Sequence, residues 1–181
     1  MERTLAVDRS FDLGRCLYLA QDFRWRPRAD GWHSGVLRGN LVHLRQRGDR
    51  LEYRADSDLS ELLTSYFRLD EDIDAVYERL SSIDGRIARL VQKYPGLRVL
   101  RQPDPWECTV AYICSANANI AKITKSVGAI AKTLRRRLEL LDEVRHAFPT
   151  VEEVLAAGES RLEELSLGLD RHKKILQVPA G

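Results

Sequence analysis

The 181-residue sequence contains few of the residues that mark secreted, metal-bound or membrane proteins. Cys16, Cys108 and Cys114 are too few and too scattered for a disulfide framework or a structural zinc site. The longest uncharged stretch near them, residues 108–121, is too short and too polar to span a bilayer. The N-terminus lacks the apolar region of a signal peptide. We therefore expect a soluble intracellular protein without a membrane segment.

The net charge does not indicate a partner, because the sequence has 29 Lys and Arg residues and 27 Asp and Glu residues, so neither charge is in excess. Lys is the scarce basic residue, with 6 copies against 23 of Arg, whose planar guanidinium suits phosphate. Pro (6) and Gly (11) are also few, whereas 44% of the residues are hydrophobic. This composition can build a core, which excludes disordered and collagen-like chains.

Motifs for common catalytic chemistries are absent from the sequence. The 4 His share no metal-ligand spacing with one another or with the Cys residues. Neither common type of glycine-rich phosphate loop occurs, and there is no Gly-x-Ser-x-Gly nucleophile motif. Cys108 and Cys114 fall on a mostly apolar stretch, where we expect them to be buried apolar fillers of a helix. We expect no metal site and no cofactor.

Strand and turn signals dominate residues 11–54. Trp32, Ser34 and Val36 alternate with other residues at the period of a strand, and residues 23–26 alternate in the same way. Turn signals rich in Gly, Asn and Asp separate the later runs. Because short turns join antiparallel neighbours, this segment predicts an antiparallel meander sheet.

Helical periodicity replaces the strand pattern after residue 57. Asp58, with Glu61 three residues later, has the spacing of a capping box. Asp70 and Ser82 precede two further apolar repeats and are predicted to cap two more helices. Helices that follow strands in one block favour an α+β fold.

Two further helix starts show the spacing of a capping box, Asp104 with Glu107 and Thr150 with Glu153. The first also places Pro at the first helical position, where Pro is favoured. The helix that begins there is mostly apolar and is expected to be buried up to about Ser115.

The next helix is predicted over residues 120–138, because its apolar residues recur at intervals of three and four. At 100° per residue, Lys122, Lys125, Lys132 and Arg136 fall within one narrow arc opposite that apolar stripe. Such a row could neutralise phosphates along a nucleic-acid duplex. The alternative is an ordinary solvated helix face.

Asn117 and Asn119 lie just before this helix, and one Asn is enough to cap it. A second Asn beside a helix N-terminus, with its partial positive charge, could meet a phosphate or a base edge instead. Capping and nucleic-acid contact both stay open as interpretations of this pair.

Six segments of the sequence, taken together and in order, resemble the 8-oxoguanine DNA glycosylase family over about residues 17–167. The most specific is the run Ser-Ala-Asn-Ala-Asn-Ile-Ala-Lys that ends at Lys122. The six segments are residues 21–25, 32–37, 66–70, 97–102, 104–108 and 113–123.

The resemblance implies an α+β protein in two parts. Residues 1–104 would form a TATA-binding-protein-like antiparallel sheet with helices, and residues 105–181 a truncated all-α glycosylase domain. The implied partner is double-stranded DNA containing oxidised guanine, with the damaged base flipped out because its glycosidic bond cannot be attacked inside the stack. We expect a monomer that acts in the cytoplasm (nucleoid) of a prokaryote or in the nucleus of a eukaryote.

The resemblance also implies roles for individual residues. Asn117 matches the family Asn that enters the gap left by the extruded base and contacts the orphaned cytosine. Lys122 matches a position usually held by an Arg that reads the same cytosine, and Lys keeps the charge without the planar fork. Ala20 takes the place of a Gly whose backbone carbonyl accepts the N7 proton of 8-oxoguanine. With Lys125 from the basic row, these are the candidate site residues, whereas Asn119 matches a structural Asn.

The family's catalytic residues have no counterpart in this sequence. The family uses a Lys amine that forms a Schiff base, assisted by an Asp, both in a region with a helix-hairpin-helix and a Gly-x-Gly segment. The resemblance fades after Leu167, and Lys173 and Lys174 have no hairpin context. We therefore expect the lesion-recognition portion of a DNA glycosylase and abasic-site lyase, with no catalytic residue in this chain.

Other functions fit the same observations. The chain could be a DNA-binding module without catalysis or lesion preference, a defective gene fragment, or an interaction protein whose incomplete helical part docks a missing partner. An incomplete helical layer should leave apolar residues such as Val151, Val154 and Leu162 exposed.

Overall fold

The computed structural model describes residues 1–133, 137–165, 167–168 and 170–178. Its strands, in chain order, are β1 (Glu2–Ala6), β2 (Arg26–Pro27), β3 (His33–Leu37), β4 (Asn40–Arg47), β5 (Arg50–Arg54), β6 (Arg137–Leu140) and β7 (Glu143–His146). Its helices are α1 (Leu13–Tyr18), α2 (Ser60–Phe67), α3 (Ile73–Ile83), α4 (Gly85–Lys93), α5 (Pro105–Ser115), α6 (Ile120–Thr133), α7 (Val151–Glu163) and α8 (Arg171–Leu176).

Five strands form one sheet in the order β1-β5-β4-β3-β2. Strand β5 pairs antiparallel with β1, from Glu2 opposite Arg54 to Ala6 opposite Arg50, and with β4 on its other side. This arrangement confirms the predicted antiparallel meander and the α+β fold. Strand β1, which the sequence did not predict, extends the sheet beyond β5.

Two local predictions between residues 11 and 54 are wrong. Helix α1 interrupts the strand region because the Asp12 carboxylate accepts a hydrogen bond from the backbone N–H of Arg15, 2.9 Å away, and caps the helix. The sequence predicts a strand over residues 23–26, but only Arg26 of this segment belongs to a strand, β2. Arg24 and Trp25 are both buried, whereas a half-exposed strand turns consecutive side chains to opposite faces.

The chain divides into two compact units. The first consists of residues 1–22, 27–33 and 43–103, and the second of residues 23–26, 34–42 and 104 onward. In the first unit, Trp32 is 2% exposed. The guanidinium groups of Arg45 and Arg54 lie 4.3 and 4.0 Å from the centroid of its ring. Cation–π contacts therefore cover the largest aromatic side chain of this core.

Helices α2, α3 and α4 form where the sequence predicts helices, but their caps differ. Asp72, and not Asp70, caps α3 by accepting from the N–H of Ala75. Asp84, and not Ser82, caps α4. At α2 the Asp58 carboxylate accepts from the Ser60 N–H and from the Tyr53 hydroxyl instead of forming a capping box. In each case the capping or turn oxygen comes from the carboxylate that lies within hydrogen-bond distance of the first backbone N–H groups, which the sequence spacing alone does not show.

The second unit has a core that α5, α6, α7 and α8 share. Asp104 caps α5 as predicted by accepting from the N–H groups of Trp106 and Glu107. Cys114 is buried as predicted, but Cys108 is exposed and does not belong to the buried face of α5, which consists of Val110, Ala111 and Cys114. The apolar composition of α5 therefore overstates its burial.

Helix α6 is described over Ile120–Thr133 and does not extend to Leu138 as predicted. Leu138 lies in β6, which pairs antiparallel with β7, so this region also contains a short hairpin. Leu140 packs against Val36 and Leu41, and this long-range contact explains why a segment with helical periodicity is extended. Leu134 and Arg136, the remaining members of the predicted stripe and basic row in this stretch, lie outside the described residues.

The predicted capping box of Thr150 and Glu153 is present at the start of α7. The expectation that apolar residues of this region are exposed is wrong for Val154 and Leu162, which are 1% and 2% exposed. Helix α8 packs against α7 and α5 and brings Ile175 into the same core. This packing buries the apolar face of α7.

Among the described helices, none combines the length and the apolarity that a membrane crossing requires.

Candidate nucleic-acid interface

A four-residue turn joins α5 to α6 and carries the principal candidate residue. The N–H of Ala118 donates to the carbonyl of Ser115, 3.1 Å away, and closes the turn. Asn117 has a φ of 49°, in the left-handed region, which Asn tolerates better than most residues. Its side chain is therefore carried on a tight reversal of the backbone and is exposed to solvent.

The two Asn residues of this turn have different roles. The Asn119 side chain caps α6, because its Oδ1 accepts from the backbone N–H of Lys122, 2.9 Å away. Among the residues that the structure describes, the Asn117 side chain has no hydrogen-bond partner. Capping is thus assigned to Asn119, and the amide of Asn117 keeps its donors and acceptor for a ligand.

Arg171, at the start of α8, holds the residue that precedes Asn117. Its side chain is 1% exposed and donates to the carbonyls of Ala116, Leu167 and Gly168. These bonds tie the C-terminal end of α5 to the segment before α8. The sequence pattern did not indicate this role, because a lone Arg beyond the region of resemblance has no motif.

Lys122 and Lys125 are exposed on α6, one and two turns beyond Asn117. They line a cavity of about 420 Å³ together with Ser126 and Leu165. Within the described part of the chain, neither Lys forms an ion pair. Both charges are therefore available to an anion.

Gly168 lies beside this cavity with a φ of +72°. A Cβ at this position would be 3.2 Å from Nη1 of Arg171 and 3.8 Å from Nζ of Lys122. The left-handed backbone conformation and the close approach of the Arg171 side chain both favour glycine here.

Ala20, the fourth candidate, belongs to the first unit. It is exposed and has a φ of 61°, which is unfavourable for a residue with a Cβ. The next residue is fixed, because the Gln21 side chain donates to the carbonyl of Arg98 at 2.8 Å and accepts from the N–H of Leu100 at 2.9 Å. The backbone that follows Ala20 is thus held by two hydrogen bonds.

Asp22 extends this network in the first unit. It accepts from the Tyr66 hydroxyl at 2.8 Å and from the amide of Gln102 at 3.0 Å. Together with the Gln21 bonds, these contacts join three of the segments on which the family resemblance rests. Their residue types are explained by contacts with one another.

The buried thiols do not suit nucleophilic chemistry. Burial raises the pKa of Cys16 to about 11, and burial also raises the pKa of Cys114 to about 11. Both thiols therefore stay protonated at neutral pH, whereas the thiolate is the reactive form. In the described ranges, no cluster of three or more His, Cys, Asp or Glu side chains could hold a metal ion.

Residues 4–109, more than half of the chain, match the sequence profile described as 8-oxoguanine DNA glycosylase, N-terminal domain. The chain belongs to the 8-oxoguanine DNA glycosylase family. It is 32% identical to the N-glycosylase/DNA lyase of Arabidopsis thaliana over 82% of this chain and 42% of that protein. It is 31% identical to the N-glycosylase/DNA lyase of Saccharomyces cerevisiae over 96% of this chain and 50% of that protein. The chain thus spans about half the length of these relatives.

Solved structures agree with this family assignment. The 8-oxoguanine glycosylase/lyase of Clostridium acetobutylicum in its apo form is 26% identical with a TM-score of 0.87, over 97% of this chain and 61% of that one. The same enzyme bound to double-stranded DNA with cytosine opposite 8-oxoguanine is 28% identical with a TM-score of 0.84, over 93% of this chain and 58% of that one.

In this glycosylase-family chain, the structure brings three of the four candidate residues together. Asn117, Lys122 and Lys125 lie on one turn and the first turns of the helix that follows it. Ala20 lies in the other unit. Sequence reasoning missed Arg171, which supports the turn from α8, and Gly168, whose carbonyl accepts from Arg171; both can be found only from their contacts.

Proposed function

We propose that this chain is the lesion-recognition portion of an 8-oxoguanine DNA glycosylase/lyase of base-excision repair. The observation that carries the proposal is the exposed amide of Asn117, which precedes Lys122 and Lys125 on α6. Among the described residues, the amide has no hydrogen-bond partner and the two lysines form no ion pair. The match of residues 4–109 to the family profile supports it. The substrate class is duplex DNA that contains oxidised guanine.

The proposed recognition depends on base flipping. A glycosylase reaches its target only when the damaged nucleotide leaves the stack, which orphans the opposite base. The Asn117 amide can both donate to and accept from that orphaned base. Lys122 adds a positive charge toward the same base, and Lys125 adds one toward the phosphate backbone.

Ala20 is proposed to present its backbone carbonyl to the N7 proton of 8-oxoguanine. The hydrogen bonds of Gln21 support this role because they fix the backbone immediately after it. We further propose that residues 1–104 and 105–181 are the sheet domain and part of the helical domain, and that the chain acts as a monomer in the nucleoid or the nucleus. No residue of this chain is assigned to the bond-breaking step.

The test is the affinity of the full chain for two duplexes, one with 8-oxoguanine and one with guanine opposite cytosine, measured by fluorescence anisotropy. Asn117→Gly retains the left-handed turn and removes only the amide. We expect it to lower the preference for the damaged duplex by about tenfold, because a hydrogen-bonded base contact contributes about 1–3 kcal/mol of discrimination.

Asn119→Ser is the matched control, because Ser also caps a helix and the substitution leaves Asn117 in place. It should leave the preference for the damaged duplex unchanged. Equal affinity of the unaltered chain for both duplexes, with a steep salt dependence, would favour the second candidate function, a DNA-binding module without lesion preference. The exposed lysines of α6 are the observation behind that second candidate.

A further inference from the structure

A second groove of the same unit is lined by cationic side chains. It has a volume of about 300 Å³ and lies between residues 23–26, α6 and β7. Four cationic residues from these three segments line it, Arg24, Arg26, Lys132 and Arg145. Segments more than 100 residues apart in the sequence therefore place like charges around one space.

The cations outnumber the carboxylates that pair with them. Arg24 pairs with Glu107 at 3.1 Å, and Arg145 pairs with Glu143 at 3.3 Å. Arg26 and Lys132 are exposed, and neither forms an ion pair with any residue in the described ranges. Two positive charges of the groove are thus left for an anion from outside.

The guanidinium groups of Arg24, which is buried, and Arg145, which is partly buried, are fixed by the protein. Arg24, 5% exposed, also donates to the carbonyl of His146. Arg145 donates to the carbonyl of Arg24 at 2.7 Å and to Oγ of Ser34 at 3.2 Å. The rear wall of the groove is therefore rigid, while its two exposed cations are free to adjust.

The pKa of Arg145 reflects the excess of positive charge in the groove. Burial lowers its pKa, the nearby Arg26 and Arg24 lower it further, and only Glu143 opposes them. An anion in the groove would offset the repulsion between these guanidinium groups by attracting each of them. A planar guanidinium suits a phosphate oxygen pair better than it suits a halide or another point charge.

Helix α6 leaves room for such a ligand. Thr124, Gly128 and Ala131 are the residues of α6 that face the groove besides Lys132, and they are short. A Cβ on Gly128 would lie 4.0 Å from Nη2 of Arg26. The small side chains keep the floor of the groove open.

We propose that this groove binds a phosphodiester of the DNA backbone, through Arg26 and Lys132 in front of the fixed Arg145. The proposal rests on the proposed function for the choice of DNA as the source of the phosphate. Lys125 and Lys132 are two turns apart on α6, about 10 Å along the helix axis. Successive phosphates of one strand are about 3.4 Å apart along the duplex axis, so a few nucleotides connect the two places.

The first experiment measures the salt dependence of duplex binding for the full chain and for the Arg26→Gln/Lys132→Gln variant. If both cations share one phosphate, the slope of log affinity against log salt should fall by about 0.9. The preference for the damaged duplex should not change, because a phosphate carries no sequence or lesion information. Arg89→Gln/Lys93→Gln, which removes two exposed cations of α4, is the control and should leave the slope closer to that of the unaltered chain.

The second experiment titrates inorganic phosphate without DNA and follows the arginine side-chain N–H resonances by NMR. Shifts at Arg26 and Arg145 that are lost in the Arg26→Gln/Lys132→Gln variant support an anion site. An absence of shifts, together with an unchanged salt slope, overturns the proposal.

The two experiments separate the groove from the proposed function. If the unaltered chain does not bind duplex DNA, the proposed function fails, and with it DNA as the source of the phosphate, whereas the titration still tests the anion site. If duplex binding is intact but its salt slope is the same in the groove variant, the groove does not contact DNA. Phosphate shifts alone would then mark an anion site for another ligand and contradict the DNA assignment.

Discussion

Asn117 and Asn119 are the same amino acid two positions apart, yet the turn gives them different tasks. The side-chain oxygen of Asn119 accepts a hydrogen bond from the N–H of Lys122 and caps the start of α6. Asn117 uses its tolerance of a left-handed backbone and leaves its amide exposed. The sequence allowed both interpretations of this pair, and the side-chain hydrogen bond of Asn119 together with the backbone conformation of Asn117 distinguishes the cap from the candidate contact.

Lys122→Arg tests whether the side chain at this position recognises the base opposite the lesion. Arg offers a planar fork of donors where Lys offers a single ammonium. We expect the variant to discriminate more strongly for cytosine opposite the lesion, by about fivefold to tenfold. Anisotropy with duplexes that carry each of the four bases opposite 8-oxoguanine measures this change.

Lys125→Arg is the control for that experiment, because it makes the same exchange on the same helix at a residue proposed to contact phosphate. It should change affinity for all four duplexes alike. Equal effects of the two variants would show that Lys122 contributes only its positive charge to DNA binding and does not recognise the base.

At the scale of elements, the short helix α8 contributes more than its 6 residues suggest. It adds Ile175 to the core of the second unit, and Arg171 connects it to the carbonyl of Ala116. The candidate turn is therefore supported by an element some 50 residues later in the chain. A periodicity argument cannot find such a support, because it depends on one buried polar contact.

Arg171→Met should lower the free energy of unfolding by about 2–4 kcal/mol, because three carbonyls lose a charged donor in a buried place. Urea denaturation followed by far-UV circular dichroism measures the loss. Lys174→Met exchanges an exposed residue of the same helix and should cost less than about 0.5 kcal/mol. Similar losses in both variants would contradict the supporting role of Arg171.

At the scale of the whole molecule, the helices differ widely in burial. Helices α3 and α4 contain no buried residue and pack mainly against each other. Helices α5 and α6 each bury at least three residues in a common core. Local stability follows buried apolar contact, so the chain is expected to open in parts and not uniformly.

Native-state hydrogen exchange tests this difference. The amides of α3 and α4 should exchange at least tenfold faster than those of α5 and α6, because opening them exposes little apolar surface. The amides of α7 on either side of Val154 should be protected, since that residue is 1% exposed. Uniform protection across all these helices would show that the chain opens as one cooperative unit.

Much of the helical architecture near the candidate turn could be predicted from sequence. Asp104 and Thr150 cap their helices as their spacing indicates, and the break between α5 and α6 lies where five small residues, three of them polar, interrupt the apolar pattern. Caps and breaks are local, because they involve residues three or four positions apart. The family segments can likewise be recognised from the sequence, because each is a short run of neighbouring residues.

The amino-acid sequence by itself determined the family, the antiparallel strands β3 to β5, the starts of α5, α6 and α7, and the candidate residues Asn117 and Lys122. The tertiary structure alone decided that Leu138 belongs to β6 and not to α6, that Leu162 is buried, and that Arg145 meets residues 23–26 in one groove. Local hydrogen bonds and hydrophobic periodicity depend on residues that are close together in the sequence. Burial and charge clustering depend on contacts between distant segments, which exist only once the chain has folded.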